Sequence, residues 1–312
     1  MNDGEEAGVE VWSGGVNTWE CDEMGHMNVR FYVAKAMEGL GVLAAMLGMS
    51  DAFSPRAEAT LLMREQHIRF LKEAHAGAAL YMTGGVLQMG SCDARLLFVT
   101  RHLDGSPAAS IVMQVVHATS RDLQPFCWSQ QTLERAEALK VNLPAYAGPR
   151  SLADEPLHAS SASLKRADLL GLRRIGLGLI SPQECDVFGR MRPEGFIGRV
   201  SDGIPRLIGR RPLPEETTTG ATRIGGAALE YRLVHLAWPR AGDRVELRSG
   251  CAWAGDKVRR LVHWVLDPET GKPWASAEAI AANLDLDARK LLTLTPQAVA
   301  AAQAEVVTGL AL

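Results

Sequence analysis

Residues 19–32 read WECDEMGHMNVRFY, and residues 183–196 read QECDVFGRMRPEGF. A shift of 164 residues lays Glu20, Cys21, Asp22, Gly25 and Met27 on Glu184, Cys185, Asp186, Gly189 and Met191. It carries Tyr32 onto Phe196, Lys35 onto Arg199, Glu38 onto Asp202, Gly39 onto Gly203 and Leu43 onto Leu207. Further along, Ala76-Gly77 meets Ala241-Gly242, and Asp104-Gly105 falls near Thr270-Gly271. A register kept over that distance means one structural unit written twice. The copies differ where polar chemistry is concentrated, since Arg190 and Arg192 stand where the first copy has His26 and Asn28.

Outward from the quoted phrase, Val33, Met37, Leu40, Ala44 and Leu47 recur at steps of four and three, the mark of one helix face, so a helix is predicted from Asn28 to Gly48. Lys35 and Glu38 are the only charges between Phe31 and Met49, so this helix should be buried nearly all round, with Glu38 needing a partner. Strands are predicted at 68–71, 80–87, 95–101 and 110–119, punctuated by glycine turns. In the second copy Val245, Leu247, Cys251 and Trp253 should share one side of a strand, with Glu246 and Arg248 on the other, and 261–266 and 274–282 supply its neighbours. Pro205, inside the second helix, should bend or end it. The chain therefore reads as α+β, each unit a curved antiparallel sheet wrapped around one long buried helix. The expected domains are 1–145 and 165–312, joined by a proline- and serine-rich linker over 146–164.

With 312 residues, 47% hydrophobic and 22% charged, the chain has the composition of a globular protein of two domains. A formal charge of -3 and a pI near 6.3 provide no basic field for nucleic acid or an anionic membrane. No signal peptide and no apolar run long enough to span a bilayer is visible, so a cytoplasmic location is expected. Five cysteines without CxxC or Cys/His ligand spacing suit a reducing compartment and give no metal set; Cys92, Cys127 and Cys251 are expected as small buried residues. Cys21 and Cys185 share a repeat position, but Glu20 and Asp22 beside Cys21 disfavour a thiolate, so packing is the expected role.

Asp22-x-x-Gly25-His26-x-Asn28 followed by Tyr32 resembles the opening loop and helix of hotdog-fold thioesterases, in particular the 4-hydroxybenzoyl-CoA thioesterase-like group. It is also similar to plant acyl-ACP thioesterases, which carry two hotdog units in one chain. The resemblance implies a tandem hotdog acting on an acyl-CoA or acyl-carrier-protein thioester, without bound cofactor or metal. One such chain is already pseudo-dimeric and can work alone or as a homo-oligomer. Hotdog hydratases and dehydratases are the enzymatic alternative, but they use D-x-N-P-x-H, and DEMGH lacks the Asn-Pro pair and is shorter by one. A catalytically silent acyl-thioester binding module is the second alternative.

The residue types fit thioester cleavage. Asp22 is the carboxylate that attacks the carbonyl or activates a water, a choice the sequence leaves open; its ordinary alternative is a helix cap. His26 can orient that water, or sit as a satisfied histidine. Asn28 can hold substrate, or cap the helix. Gly25 lets backbone approach the substrate, and unpaired N–H groups at the helix start favour an oxyanion. The resemblance implies that the polarising N–H comes from Gly25 to Asn28. Tyr32 joins the substrate side of the motif, although packing is its commoner use. In the second copy, Arg190 and Arg192 leave a site expected to be dead for hydrolysis, with Arg190 available to a phosphate of the carrier or to a salt bridge.

Overall fold

The computed structural model describes residues 8–155, 159–209 and 212–312. Its chain divides into two compact units, Met1–Pro149 with Cys185–Glu194, and Arg150–Glu184 with Gly195–Leu312. In the first unit, β1 (Val9–Gly15) precedes α1 (Val29–Met46), and β2 (Ala59–Phe70), β3 (Ala79–Met89), β4 (Asp93–His102), β5 (Pro107–Thr119) and α2 (Gln130–Ala138) follow. The strands form an antiparallel run in the order β1-β3-β4-β5-β2.

In the second, α3 (Leu164–Leu169) and β6 (Arg173–Leu179) precede α4 (Pro193–Ile208). Then come β7 (Ile224–His235), β8 (Arg244–Ala254), β9 (Val258–Leu266), β10 (Pro273–Asp285), β11 (Lys290–Leu291) and α5 (Pro296–Ala304). Their order is β6-β8-β9-β10-β7, with β11 on β10, so the five main strands repeat the first unit's order one for one.

The duplication reaches the irregularities of the ladders. An extra residue interrupts the pairing at Val11, Arg64, Leu87 and Ala108 in the first unit, and at Ile175, Leu229, Ala252 and Trp274 in the second. Each bulge of one copy has its counterpart at the matching position of the other. Bulges re-aim side chains, and one of them corrects an expectation from alternation. Val245, Leu247 and Cys251 are buried as predicted, but the bulge at Ala252 turns Trp253 outward, half exposed, while Glu246 is buried and ion-paired with Arg248.

Helix α1 lies on β1, β3, β4 and β5. Val33, Leu40, Leu43, Ala44 and Leu47 are buried, and Gly39 permits the close approach: a β-carbon there would stand 3.0 Å from Val11 and 3.2 Å from the Met82 sulfur. Gly203 makes the matching approach in α4, where a β-carbon would meet Ile175 at 2.8 Å. The helix is not buried all round: Glu38, Val42, Ala45 and Met46 are exposed, and Glu38 accepts a hydrogen bond from the Trp12 indole N–H on β1 (2.9 Å). Pro205 stays inside α4, which ends one turn later. Of the three cysteines expected inside, Cys251 is buried, Cys92 half-buried and Cys127 exposed. Among the described residues no helix is long and apolar enough to cross a membrane.

Candidate active site at the start of α1

Between a short turn at Thr18–Glu20 and α1, the chain folds back on itself around Asp22. The Asp22 Oδ1 accepts from the backbone N–H of Met24 (2.9 Å) and of His26 (3.1 Å), while its own N–H donates to the His26 carbonyl (2.8 Å). Gly25 takes φ +80° at the tip with open space around it, so the requirement there is conformational. Met27 N–H donates to Ala74 O (2.7 Å), and His26 pairs with His75 as an isolated bridge, which pins the loop to the segment before β3. Asp22 is thus no helix cap. Asn28 caps α1, its Oδ1 accepting from Arg30 N–H (3.0 Å).

The donors expected at Gly25 to Asn28 are already committed. Gly25 donates to Asp22 O, His26 to Asp22 Oδ1, Met27 to Ala74 O and Asn28 to Glu20 O. The first backbone N–H at this junction with no acceptor among the described residues is that of Val29, the first residue of α1. Asp22 Oδ2 likewise accepts no hydrogen bond from any described residue. One open carboxylate oxygen and one open helix-start donor therefore belong to the same short segment.

Two side chains from distant sequence join it. His26, buried, has its Nε2 3.4 Å from Glu73 Oε2, and His75 Nε2 lies 3.7 Å from the same oxygen. The imidazole rings of His26 and His75 meet edge-on at 4.9 Å. Sequence reasoning passed over Glu73 and His75, which precede the Ala76-Gly77 turn; the repeat does mark them, because the residues before Ala241-Gly242 are Trp238 and Arg240. Beneath the loop, Glu20 and Lys35 form a buried ion pair (2.7 Å), with Glu20 also accepting from Asn17 N–H (2.8 Å).

The second copy folds its loop the same way and fills it differently. Asp186 Oδ1 accepts from Phe188 N–H and Arg190 N–H, and Gly189 has φ +75°. But Asp186 Oδ2 is held by Arg190, through Nε at 3.1 Å and Nη2 at 3.0 Å. Arg190 is buried, and its guanidinium lies over the Phe188 ring, so the group suggested for a carrier phosphate is committed inside the loop. Pro193 stands at the first helical position, where Val29 stands in the first copy, and proline has no N–H to offer. Both open groups of the first copy are absent from the second.

Tyr32 belongs to the core. It is buried with Val16, Met27, Ala74 and Leu80, edge-on to Phe70, and burial pushes its phenol up, which corrects its assignment to the substrate side. Burial also pushes the Cys21 thiol up, helped by Asp22 and Glu20, as the reading of a packing cysteine requires.

A sequence model of the thioesterase-like superfamily matches residues 16–136 and again residues 180–303, once per copy. The chain belongs to the thioesterase-like superfamily. No curated protein matches it in sequence. Among solved structures, this superfamily member is similar to a protein of Lactobacillus plantarum provisionally assigned as an oleoyl thioesterase, with a TM-score of 0.66 and 10% identity over 89% of this chain and 97% of that one. It is similar to a 12:0-ACP thioesterase from Umbellularia californica (0.64, 10%, 87% and 93%) and to an acyl-ACP thioesterase from Bacteroides thetaiotaomicron (0.61, 12%, 86% and 96%). At such identities the likeness is one of fold, the tandem hotdog, matched over nearly the full length of each chain.

Proposed function

We propose that the chain is a thioester hydrolase acting on an acyl-CoA or an acyl-carrier protein, with its working site in the first copy. Each unit is then a curved antiparallel sheet around one long helix, α1 in the first and α4 in the second. Asp22 acts through Oδ2, as nucleophile on the thioester carbon or as the base that takes a proton from water. The Val29 N–H, at the positive end of α1, receives the carbonyl oxygen as it gains negative charge. His26, beside Glu73, orients the attacking water, and Asn28 fixes the helix start by capping it.

The observation that carries this reading is the contrast between copies. Where Oδ2 and the helix-start N–H are open together, the histidine is present; where an arginine closes the carboxylate, a proline also removes the donor. Two losses that each disable acyl transfer, occurring together in the same copy, fit relaxed demands on a second site.

Release of free thiol from a panel of acyl-CoA and acyl-carrier-protein substrates tests the proposal. The informative variant is Asp22→Asn, which keeps an oxygen for the turn's two N–H donors and removes the charge. Turnover by the parent chain that falls by about 10²–10⁴ in Asp22→Asn is the expected result. Full turnover in that variant, or none by the parent on any thioester, overturns it.

A further inference from the structure

We propose that His26, Glu73 and His75 form a binding site for one zinc-class divalent cation. Around a tetrahedral cation with nitrogen and oxygen ligands at about 2.0–2.2 Å, neighbouring ligand atoms stand about 3.3–3.6 Å apart. Glu73 Oε2 lies 3.4 Å from His26 Nε2 and 3.7 Å from His75 Nε2, and all three ligand atoms fall within 4.8 Å of one another. Two edges of the coordination polyhedron are thus nearly set, the third lies within the same 4.8 Å bound, and the His75 side chain is half exposed.

The outer partner of His75 is already in place. Its Nδ1 lies 3.1 Å from the Gly25 carbonyl, which can only accept, so Nδ1 carries a proton and Nε2 is the nitrogen turned toward the cluster. His26 is held from the opposite side by its backbone, through the Asp22 turn and the bridge to His75. Two imidazoles and one carboxylate give a nitrogen-rich set that favours zinc or cobalt over magnesium or calcium. With three protein ligands, a fourth position stays open to water.

The second copy supplies an independent observation. Leu71 and Lys72 both donate to Ala108 O, and Leu236 and Ala237 both donate to Trp274 O, so the next residues, Glu73 and Trp238, are structural equivalents. Gly77 donates to Val16 O as Gly242 does to Ile180 O, which makes Arg240 the counterpart of His75. His26, Glu73 and His75 are replaced by Arg190, Trp238 and Arg240, none of which ligates a cation. The three residues are present together in one copy and gone together from the other, as members of one site would be.

The inference touches the hydrolase reading through His26 and its neighbour Glu73, and uptake is measured without substrate, so either can fail by itself. Chelator-stripped, desalted protein is titrated calorimetrically with Zn²⁺, Co²⁺ and Mg²⁺, and the cobalt form is recorded in the visible range. Expected are one equivalent of zinc or cobalt, the intense visible bands of low-coordinate cobalt, and no competition from magnesium. His75→Ala and Glu73→Gln should each weaken uptake tenfold or more, while His102→Ala, outside the cluster, leaves it unchanged; circular dichroism establishes that each variant folds. Absence of uptake by the parent, or equal affinity in folded His75→Ala and Glu73→Gln, overturns the proposal.

Discussion

Val29 and Pro193 occupy the same position in the two copies, the first residue of the long helix, and only Val29 carries an N–H. Because Asn28 already has an extended backbone (ψ 144°), a proline after it meets no steric objection, and proline is at home at the first helical position. Val29→Pro should therefore fold and melt close to the parent while losing the helix-start donor that has no acceptor among the described residues. Removing a single oxyanion donor lowers kcat by about 10²–10³. Thiol release with KM and kcat resolved checks this: a fall confined to KM would place the carbonyl elsewhere.

On the proposed hydrolase reading the two oxygens of Asp22 have different work, and two substitutions separate them. Asp22→Asn leaves an acceptor for Met24 and His26 N–H, so stability should hold while turnover drops by about 10²–10⁴. Asp22→Ala removes the acceptor for both donors as well, and should lose about 1–3 kcal/mol of stability along with turnover. Denaturant unfolding beside steady-state kinetics distinguishes the two variants.

His26→Arg writes the second copy's solution into the first. Arg190 folds back on Asp186 without disturbing the two Oδ1 bonds or the left-handed glycine, so the introduced guanidinium has a template for capturing Asp22 Oδ2. The expected outcome is a well-folded chain with little turnover, even at high substrate, measured by thiol release and thermal unfolding together.

Much of this architecture was legible because it depends on local periodicity. The helix face of Val33, Leu40, Ala44 and Leu47 and the strand cores appear as apolar spacing, and the repeat announces itself through Asp22 and Asp186. What escaped depends on non-local accounting. A bulge leaves no local signature, so alternation alone puts Trp253 on the wrong side. The exposed edge of α1 reads as apolar from sequence, because Val42 and Met46 do not reveal which face meets solvent. The helix-start donors could not be ranked until each N–H was traced to an acceptor, and then every one from Gly25 to Asn28 proved occupied. Glu73 and His75 reach His26 across about fifty residues, where no spacing rule operates, although Trp238 and Arg240 in the twin were a hint in plain view.

Beneath the loop, Lys35 is the only cation against the buried Glu20 carboxylate among the described residues. Lys35→Met should cost about 3–5 kcal/mol, since one partner's removal leaves a buried charge uncompensated. Lys35→Arg should cost far less, because the second copy joins Arg199 to Glu184 at the matching positions. The shift in denaturant midpoint between the two variants measures the difference, and equal losses would mean that the lysine acts through packing alone.

Glu184 adds a dependence on pH. Its partial burial pushes the carboxyl up, but Arg199 and the Ser181 N–H and hydroxyl outweigh that and hold it below the ordinary glutamate range. A depressed folded-state value means that the ionised form is bound more favourably in the native chain. The stabilisation is thus fully present above the unfolded-state value and is lost as pH falls through the folded one. Arg199→Met removes the main opposing charge, so its Glu184 should titrate higher, closer to the unfolded-state value; the variant should be less stable at neutral pH and lose less further stability on acidification than the parent. Acid unfolding followed by circular dichroism, together with carboxyl titration by NMR, reads both; an unchanged acid limb in Arg199→Met would show that the serine donors alone set the shift.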